Sequence, residues 1–494
     1  MAAPASPSHS FRLSPLEGLM PRAYVRQILC FPTTDSQAIS ALSRGLSGLA
    51  RDVPYVLSRV VNDTSGVVIS GPCHTIGDIF SWHDLSASIN YATLEAGSFA
   101  PGAFQTHGII PPDTLPPHPA SPAVFRARAS LVDGGLILCV AVHHAVTDIT
   151  GYDALLKIWA AHCRDGSSLD IAFDPSWMNR DPLFPEAGSS PTFAPIPDLL
   201  HTVTPEESAR RTGGPRVGET AQNYQTAIFH FPQQHLRALK DAVNEYIASQ
   251  EPGSWVSTSD ILSSLLWKAT IEAQEDSFLN TSETATDEDT RMSTLSFPVQ
   301  FRSVLRPPLP RGFLGAAFVM TNARVPHKDV RLISSNSKST VQGQESEVEA
   351  GMGVLANAVD ISVLAKVALA IRRSIQRIND AAVRGVLAYL EAHPGTNPEA
   401  PIILGPPRHD AGGSGISVVS WADQYVYGLN WGDAVGRCDA VRLPKMGYKR
   451  DPIVLPRMSS DGGLEVIMSY EAGVMQRLIE GPVMRRFAVL RCLS

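Results

Sequence analysis

An aspartate follows the second of two adjacent histidines by four positions in the run His143-His144-Ala145-Val146-Thr147-Asp148. A neutral imidazole can accept a proton near neutral pH, and a nearby carboxylate can fix its tautomer or hold the loop around it. His144 and Asp148 suit such a pair. Adjacent histidines also raise the question of a metal, but these two come at the end of a strand, where successive side chains point to opposite faces. They should not converge on one ligand, and no metal is expected. The same residues suit a structural reading too, in which His144 is a hydrogen-bonded core histidine and Asp148 caps a helix. The HxxxD spacing alone does not choose between the two.

The elements that must position this run can be read on either side of it. Pro111 to Pro122 (PPDTLPPHPASP) is excluded from helix and central strand, because proline lacks an N–H and restricts the residue before it. Ala123 to Val132, then Asp133-Gly134-Gly135, then Leu136 to Val142 read as a hairpin, since Asp-Gly supplies the positive φ of a tight turn. The second strand is continuously apolar and is expected to be buried on both faces. From Tyr152 the period changes: Leu155, Ile158, Trp159, His162 and Cys163 recur at helical spacing, so a helix follows the strand closely. A strand end entering a helix is a rigid platform.

The chain has 494 residues, 44% hydrophobic and 18% charged, which suits a globular protein of two large domains. The boundary is expected in the polar stretch Thr202 to Thr220, dividing residues 1–210 from 211–494. Ser257-Thr258-Ser259-Asp260 ahead of Ile261, Leu262, Leu265 and Leu266 is a capping-type helix start. Glu275 to Arg291 and Ser334 to Glu349 read as solvated insertions. A net charge of -7 gives no reason to expect nucleic acid or an anionic membrane as partner. The first residues lack the basic and apolar regions of a signal peptide, so a cytoplasmic protein is expected, monomeric and without membrane association. Six scattered cysteines with no CxxC suggest neither a zinc cage nor a disulfide framework.

Five segments taken in order resemble the BAHD acyltransferases, specifically their fungal branch that includes the trichothecene acetyltransferases. LSPLEGLMPRAYVRQILCFP is similar to the family's opening strand. HHAVTDITGYDALLKIWA is similar to its HHxxxD signature, followed by a glycine, Gly151, and a helix ending in Trp-Ala. VSTSDILSSLLWKA resembles its S-T-x-D helix, and FPVQFRSVLRPPLPRGFLGAA its V-N-x-R-x-x-x-x-P-P-L-P-x-x-Y-x-G-N-A segment. Leu429-Asn430-Trp431-Gly432, continuing through Gly436 to Pro444, resembles the segment that contains D-F-G. Asn430, Trp431, Gln300 and Ala316 depart from the family pattern, standing where it has aspartate, phenylalanine, asparagine and asparagine.

The resemblance implies an α/β fold of two chloramphenicol-acetyltransferase-like domains, with a channel at their interface that admits the donor from one face and the acceptor from the other. It implies no cofactor, acyl-CoA as co-substrate, and a small-molecule alcohol or amine of secondary metabolism as acceptor. His144 would be the general base. Asp148 would be a structural anchor facing Arg302, which matches the family's arginine at that position, with a surface ion pair as the alternative account of Arg302. His143, Gly151, Trp431 and Gly432 are candidates for lining the channel or shaping its walls, with core packing an equal account of Trp431 and Gly432. Two alternatives stay open: a repurposed fold that forms carbon–carbon bonds or cyclises a polyketide-type substrate, which Asn430 and Ala316 keep open, and a non-catalytic binding protein, against which intact His144 and Asp148 argue.

Overall fold

The computed structural model describes residues 9–63, 66–164, 173–185, 199–202, 204, 223–279, 291–331, 333, 360–393, 402–404, 414–445 and 450–494. At its centre lies the hairpin expected from Asp133-Gly134. The strands Phe125–Val132 and Gly135–His143 pair antiparallel from Val132 opposite Gly135 to Phe125 opposite Val142. Gly134 adopts φ 81° at the turn, a conformation that costs glycine nothing.

Five strands make the first sheet, in the order Ala440–Arg442, Tyr24–Phe31, Gly135–His143, Phe125–Val132, Phe80–Asp84. The middle strand is buried along its whole length. Its even-numbered residues Leu136, Leu138, Val140 and Val142 enter a large core with the helices Ala38–Asp52 and Ile149–Cys163. The odd-numbered Ile137 and Cys139 enter a smaller cluster with Tyr91, Phe99 and Phe104 on the opposite face. Layers on both faces explain the unbroken apolar run, which an alternating strand would not need.

A second five-stranded sheet runs Val419–Ser420, Arg450–Val454, Leu464–Glu471, Tyr224–Phe231, Val489–Leu493. A three-stranded sheet joins Phe318–Pro326, Met292–Gln300 and Ser414–Ser417. The helices Gln233–Gln250, Thr258–Leu279 and Ile361–Gln376 contribute to a second large core. The capping-type start at Ser257 is formed: the Ser257 N–H donates to Asp260 Oδ2 at 2.7 Å and the Asp260 N–H to Ser257 Oγ at 3.3 Å.

The two cores do not follow the two halves of the chain. Phe301, Leu305, Phe313, Leu314, Val383 and Trp431 all belong to the first core although they lie past residue 211. The edge strand Ala440–Arg442 belongs to the first sheet, paired antiparallel with Ile28–Cys30. Of the polar stretch Thr202 to Thr220, only Thr202 and Thr204 are among the described residues, and Thr202 ends a short strand paired with Ile402–Leu404. The reading of Glu275 to Arg291 as an insertion needs correction at its start, because the helix from Thr258 continues to Leu279; residues 280–290 lie outside the described residues, as does the whole tract 334–349.

Candidate active site

The middle strand ends at His143, and His144–Val146 forms a single 3-10 turn before the next helix. Between Gly135 and Asp148 every residue is buried except His144, which is half-buried. The His144 main-chain N–H donates to the Ala23 carbonyl at 2.8 Å, tying the turn to the neighbouring strand. Its ring lies 6.3 Å from that of Phe318, itself half-buried. Val25 and Ile149 nearby pack against the first core and against the cluster on the inner face of the second sheet. His144 is thus flanked by residues that pack against both clusters, and it is not fully buried itself.

His144 Nδ1 sits 3.2 Å from the Thr147 carbonyl oxygen. A carbonyl only accepts, so in this arrangement Nδ1 carries the proton and Nε2 keeps its lone pair. Burial lowers the proton affinity of His144, the Arg450 charge adds to this, and Asp148 and the Thr147 carbonyl act against it; the net effect is downward. At neutral pH the ring is neutral and able to accept a proton.

His143 is placed differently. Its Nδ1 accepts from the Ala145 N–H at 3.3 Å, and its ring meets Tyr24 edge-on at 5.3 Å. It is fully buried, and burial, with smaller contributions from Arg22, His144 and His118, takes its pKa down to about 3. The two rings have different partners, the Thr147 carbonyl for His144 and the Ala145 N–H and Tyr24 ring for His143. Among the described residues there is no group of three or more His, Cys, Asp or Glu side chains suited to a metal ion.

Asp148 combines two tasks. Its Oδ1 accepts from the N–H groups of Thr150 at 3.0 Å and Gly151 at 2.9 Å, capping the helix. It also accepts from Arg302 Nη2 at 2.7 Å, while Oδ2 accepts from Arg302 Nη1 at 2.8 Å and the Ala317 N–H at 2.8 Å. Burial disfavours the charge on Asp148, but the Arg302 charge and these hydrogen bonds outweigh it and hold the carboxyl below its usual range. Arg302 is only 4% exposed, so this is a buried pair, not a surface one. Its Nη2 also donates to the carbonyls of Phe313 and Gly315. None of these hydrogen bonds joins Asp148 to the His144 ring. The pair anchors the turn and draws in the loop 301–317, which leads straight into Phe318.

Gly151 permits this close approach. A Cβ there would lie 2.3 Å from Thr147 Oγ1 and 2.5 Å from the Leu314 carbonyl oxygen. Gly432 has φ 88°, and its Cβ would stand 3.0 Å from the Cys163 carbonyl. Trp431 is fully buried against Phe31 and Trp159. Both therefore pack at the C-terminal end of the helix that Asp148 begins, several turns from His144. Asn430 is exposed and closes a local turn by accepting from the Gly432 N–H at 3.0 Å. Gln300 is exposed at the end of its strand, opposite Phe318.

Sequence reasoning missed a second buried ion pair at the same turn. Glu17, 0% exposed, accepts from Arg180 Nε at 3.0 Å, from the Ser14 N–H at 2.8 Å and from the N–H of the departure residue Ala316 at 3.2 Å. Arg180 Nη2 donates to the Val146 carbonyl at 3.0 Å. The available signal for Glu17 was an acid among Leu13, Leu16, Leu19 and Met20; Arg180, in Asn179-Arg180-Asp181, had none.

Cavities of about 240 Å³ at Ala269, Arg477 and Val483, and of about 90 Å³ at Arg22, Val60 and His118, are not lined by His144. No helix among the described residues is long and apolar enough to cross a membrane.

Residues 23–163 match the family model of the trichothecene 3-O-acetyltransferase-like N-terminal domain. The O-acetyltransferase ptmV of Penicillium ochrochloron is 26% identical, with 97% of each chain covered. The O-acetyltransferase astG of Aspergillus oryzae is 25% identical, over 77% of this chain and 83% of that one. Among solved structures, F. graminearum TRI101 complexed with coenzyme A and T-2 mycotoxin has a TM-score of 0.73 at 19% identity, covering 98% of this chain and 100% of that chain. Vinorine synthase has a TM-score of 0.60 at 14% identity, covering 97% and 94%. The fold is the mixed α/β, two-domain acyltransferase fold.

Proposed function

Because residues 23–163 match the trichothecene 3-O-acetyltransferase-like N-terminal domain and full-length relatives are fungal O-acetyltransferases, we propose that the chain is a BAHD-type acyltransferase of the fungal branch, acyl-CoA-dependent, acting on an O or N acceptor of secondary metabolism with His144 as its general base. It transfers groups other than aminoacyl groups, and its two domains divide near residue 210, with the second half lending Phe301, Phe313 and Trp431 to the first core and Ala440–Arg442 to the first sheet. One observation carries the mechanism: in a buried run from Gly135 to Asp148, the one residue that is only half-buried is the histidine whose Nδ1 faces a carbonyl, leaving Nε2 as a lone-pair acceptor.

Nε2 removes the proton from the acceptor hydroxyl or amine as that atom attacks the thioester carbonyl carbon. The tetrahedral intermediate collapses with cleavage of the carbon–sulfur bond, and the imidazolium returns the proton to the leaving CoA thiolate. No covalent acyl-enzyme forms. Asp148 takes no proton: Arg302 and three backbone N–H groups occupy its oxygens, so it anchors the turn.

The test is release of free CoA thiol from acetyl-CoA, with and without a panel of small alcohols and amines. A positioned base is worth roughly 10²- to 10⁴-fold, so His144→Ala should lose that much at unchanged fold, and His143→Ala far less. Near wild-type turnover in His144→Ala would exclude the mechanism and favour a repurposed fold.

A further inference from the structure

The His144 ring is aimed by the Thr147 carbonyl, so whatever fixes that carbonyl fixes the base. Thr147 lies between two anchored neighbours. On one side Asp148 is held by Arg302 and Ala317. On the other, Arg180 Nη2 holds the Val146 carbonyl, and the planarity of the peptide bond carries that restraint to the Thr147 nitrogen.

We propose that Glu17 and Arg180 form a positioning pair for the His144 turn, fixing from the Val146 side the carbonyl that sets the imidazole's tautomer and direction. Three observations carry this. Both side chains are nearly or fully buried, Glu17 at 0% and Arg180 at 4% exposure, so the pair is not a solvent-screened surface contact. Arg180 is itself immobilised: Nε binds Glu17, Nη1 donates to the Met178 carbonyl at 3.1 Å, and the guanidinium lies 5.3 Å from the Phe11 ring and 5.5 Å from the Tyr55 ring. Glu17 and Asp148 accept from the consecutive N–H groups of Ala316 and Ala317, so one loop of the second half is registered against the turn by two carboxylates at once. Residues 17, 146, 180 and 316 are thereby locked together, and Phe318 beside the His144 ring follows directly from that loop.

For its effect on turnover this inference rests on His144 being the base, but the geometry can be tested without any substrate. Selective ¹⁵N-histidine labelling reports the ring tautomer and titration of His144, assigned with His144→Gln. The wild-type ring should be a single Nδ1–H tautomer. Arg180→Lys keeps a charge for Glu17 but cannot span Glu17 and Val146 together; Glu17→Gln removes the charge that orients Arg180. Both should give mixed tautomers. Both should also titrate at lower pH, because the Thr147 carbonyl supports the protonated ring, while the other groups facing it, Asp148, Arg450 and His143, are unchanged. Turnover should fall roughly 10- to 100-fold with KM within about twofold, as expected for a base displaced by about 1 Å. Folded variants with the wild-type tautomer and titration would overturn the proposal. So would failure of both variants to fold, which would make the pair a general stability element. A shifted tautomer in a protein that transfers no acyl group would leave the positioning pair standing and remove the proposed function.

Discussion

At the scale of single residues, Asp148 shows why HxxxD did not reveal its own division of labour. Cap and ion-pair partner are the same carboxylate, and neither role reaches the imidazole. Asp148→Asn keeps one oxygen for the cap but leaves Arg302 buried without its counter-charge, a change that typically costs about 3–5 kcal/mol. A lower denaturation midpoint together with reduced acyl transfer is expected; an unchanged midpoint would mean that the pair does not anchor the turn. His143 and His144 make a pH prediction. Burial pushes His144 down and His143 from the ordinary value near 6.5 to about 3, so the folded protein holds both rings neutral. The unfolded chain binds these protons first as pH falls. The stability they contribute is complete above about pH 6.5 and lost progressively toward pH 3. Thermal melts between pH 5 and 7.5 should show the decline, and His143→Gln should make it shallower.

At the scale of elements, what could be read depended on whether the signal was local. The hairpin at Asp133-Gly134, the buried strand, the helix after it and the cap at Ser257 were legible because turn chemistry, period and capping act over a few residues. Arg302 came through resemblance, since its partner Asp148 is 154 positions away. Glu17 and Arg180 are 163 positions apart in segments without a periodic pattern, and only the fold brings them together. Trp431 was ambiguous between channel and core because an aromatic beside glycine suits both; contacts with Phe31 and Trp159 put it in the core. The junction of helix and loop at Gly151 has the least room. Gly151→Ala would force the helix start away from the Leu314 backbone, which is not the yielding end of a side chain. It should lower both stability and turnover, whereas alanine substitution at an ordinary helical glycine adds roughly 0.5–1 kcal/mol of stability. A Gly151→Ala protein with wild-type melting and activity would contradict the fit described here.

At the scale of the whole molecule, the two large sheets are joined by a buried ion pair. Arg442, at the end of the borrowed edge strand, reaches Glu465 on the second sheet at 2.7 Å and donates to the carbonyls of Ser98 and Phe99. Glu465→Gln should lower the denaturant midpoint by an amount corresponding to about 3–5 kcal/mol, and replacing both residues with apolar ones should recover much of that; equal midpoints for the wild type and Glu465→Gln would show that the sheets are held by packing alone. The edge strand itself has a consequence during synthesis. The strand Tyr24–Phe31 gains its outer neighbour only when Ala440–Arg442 has been made. At roughly 5–20 residues per second, the ribosome takes about 20 to 80 seconds to get from one to the other. Through that interval the backbone of Ile28 to Cys30 is an open template for any other nascent strand. The first sheet therefore gains its last strand late in synthesis, and slower translation should lengthen the time for which that edge stands open.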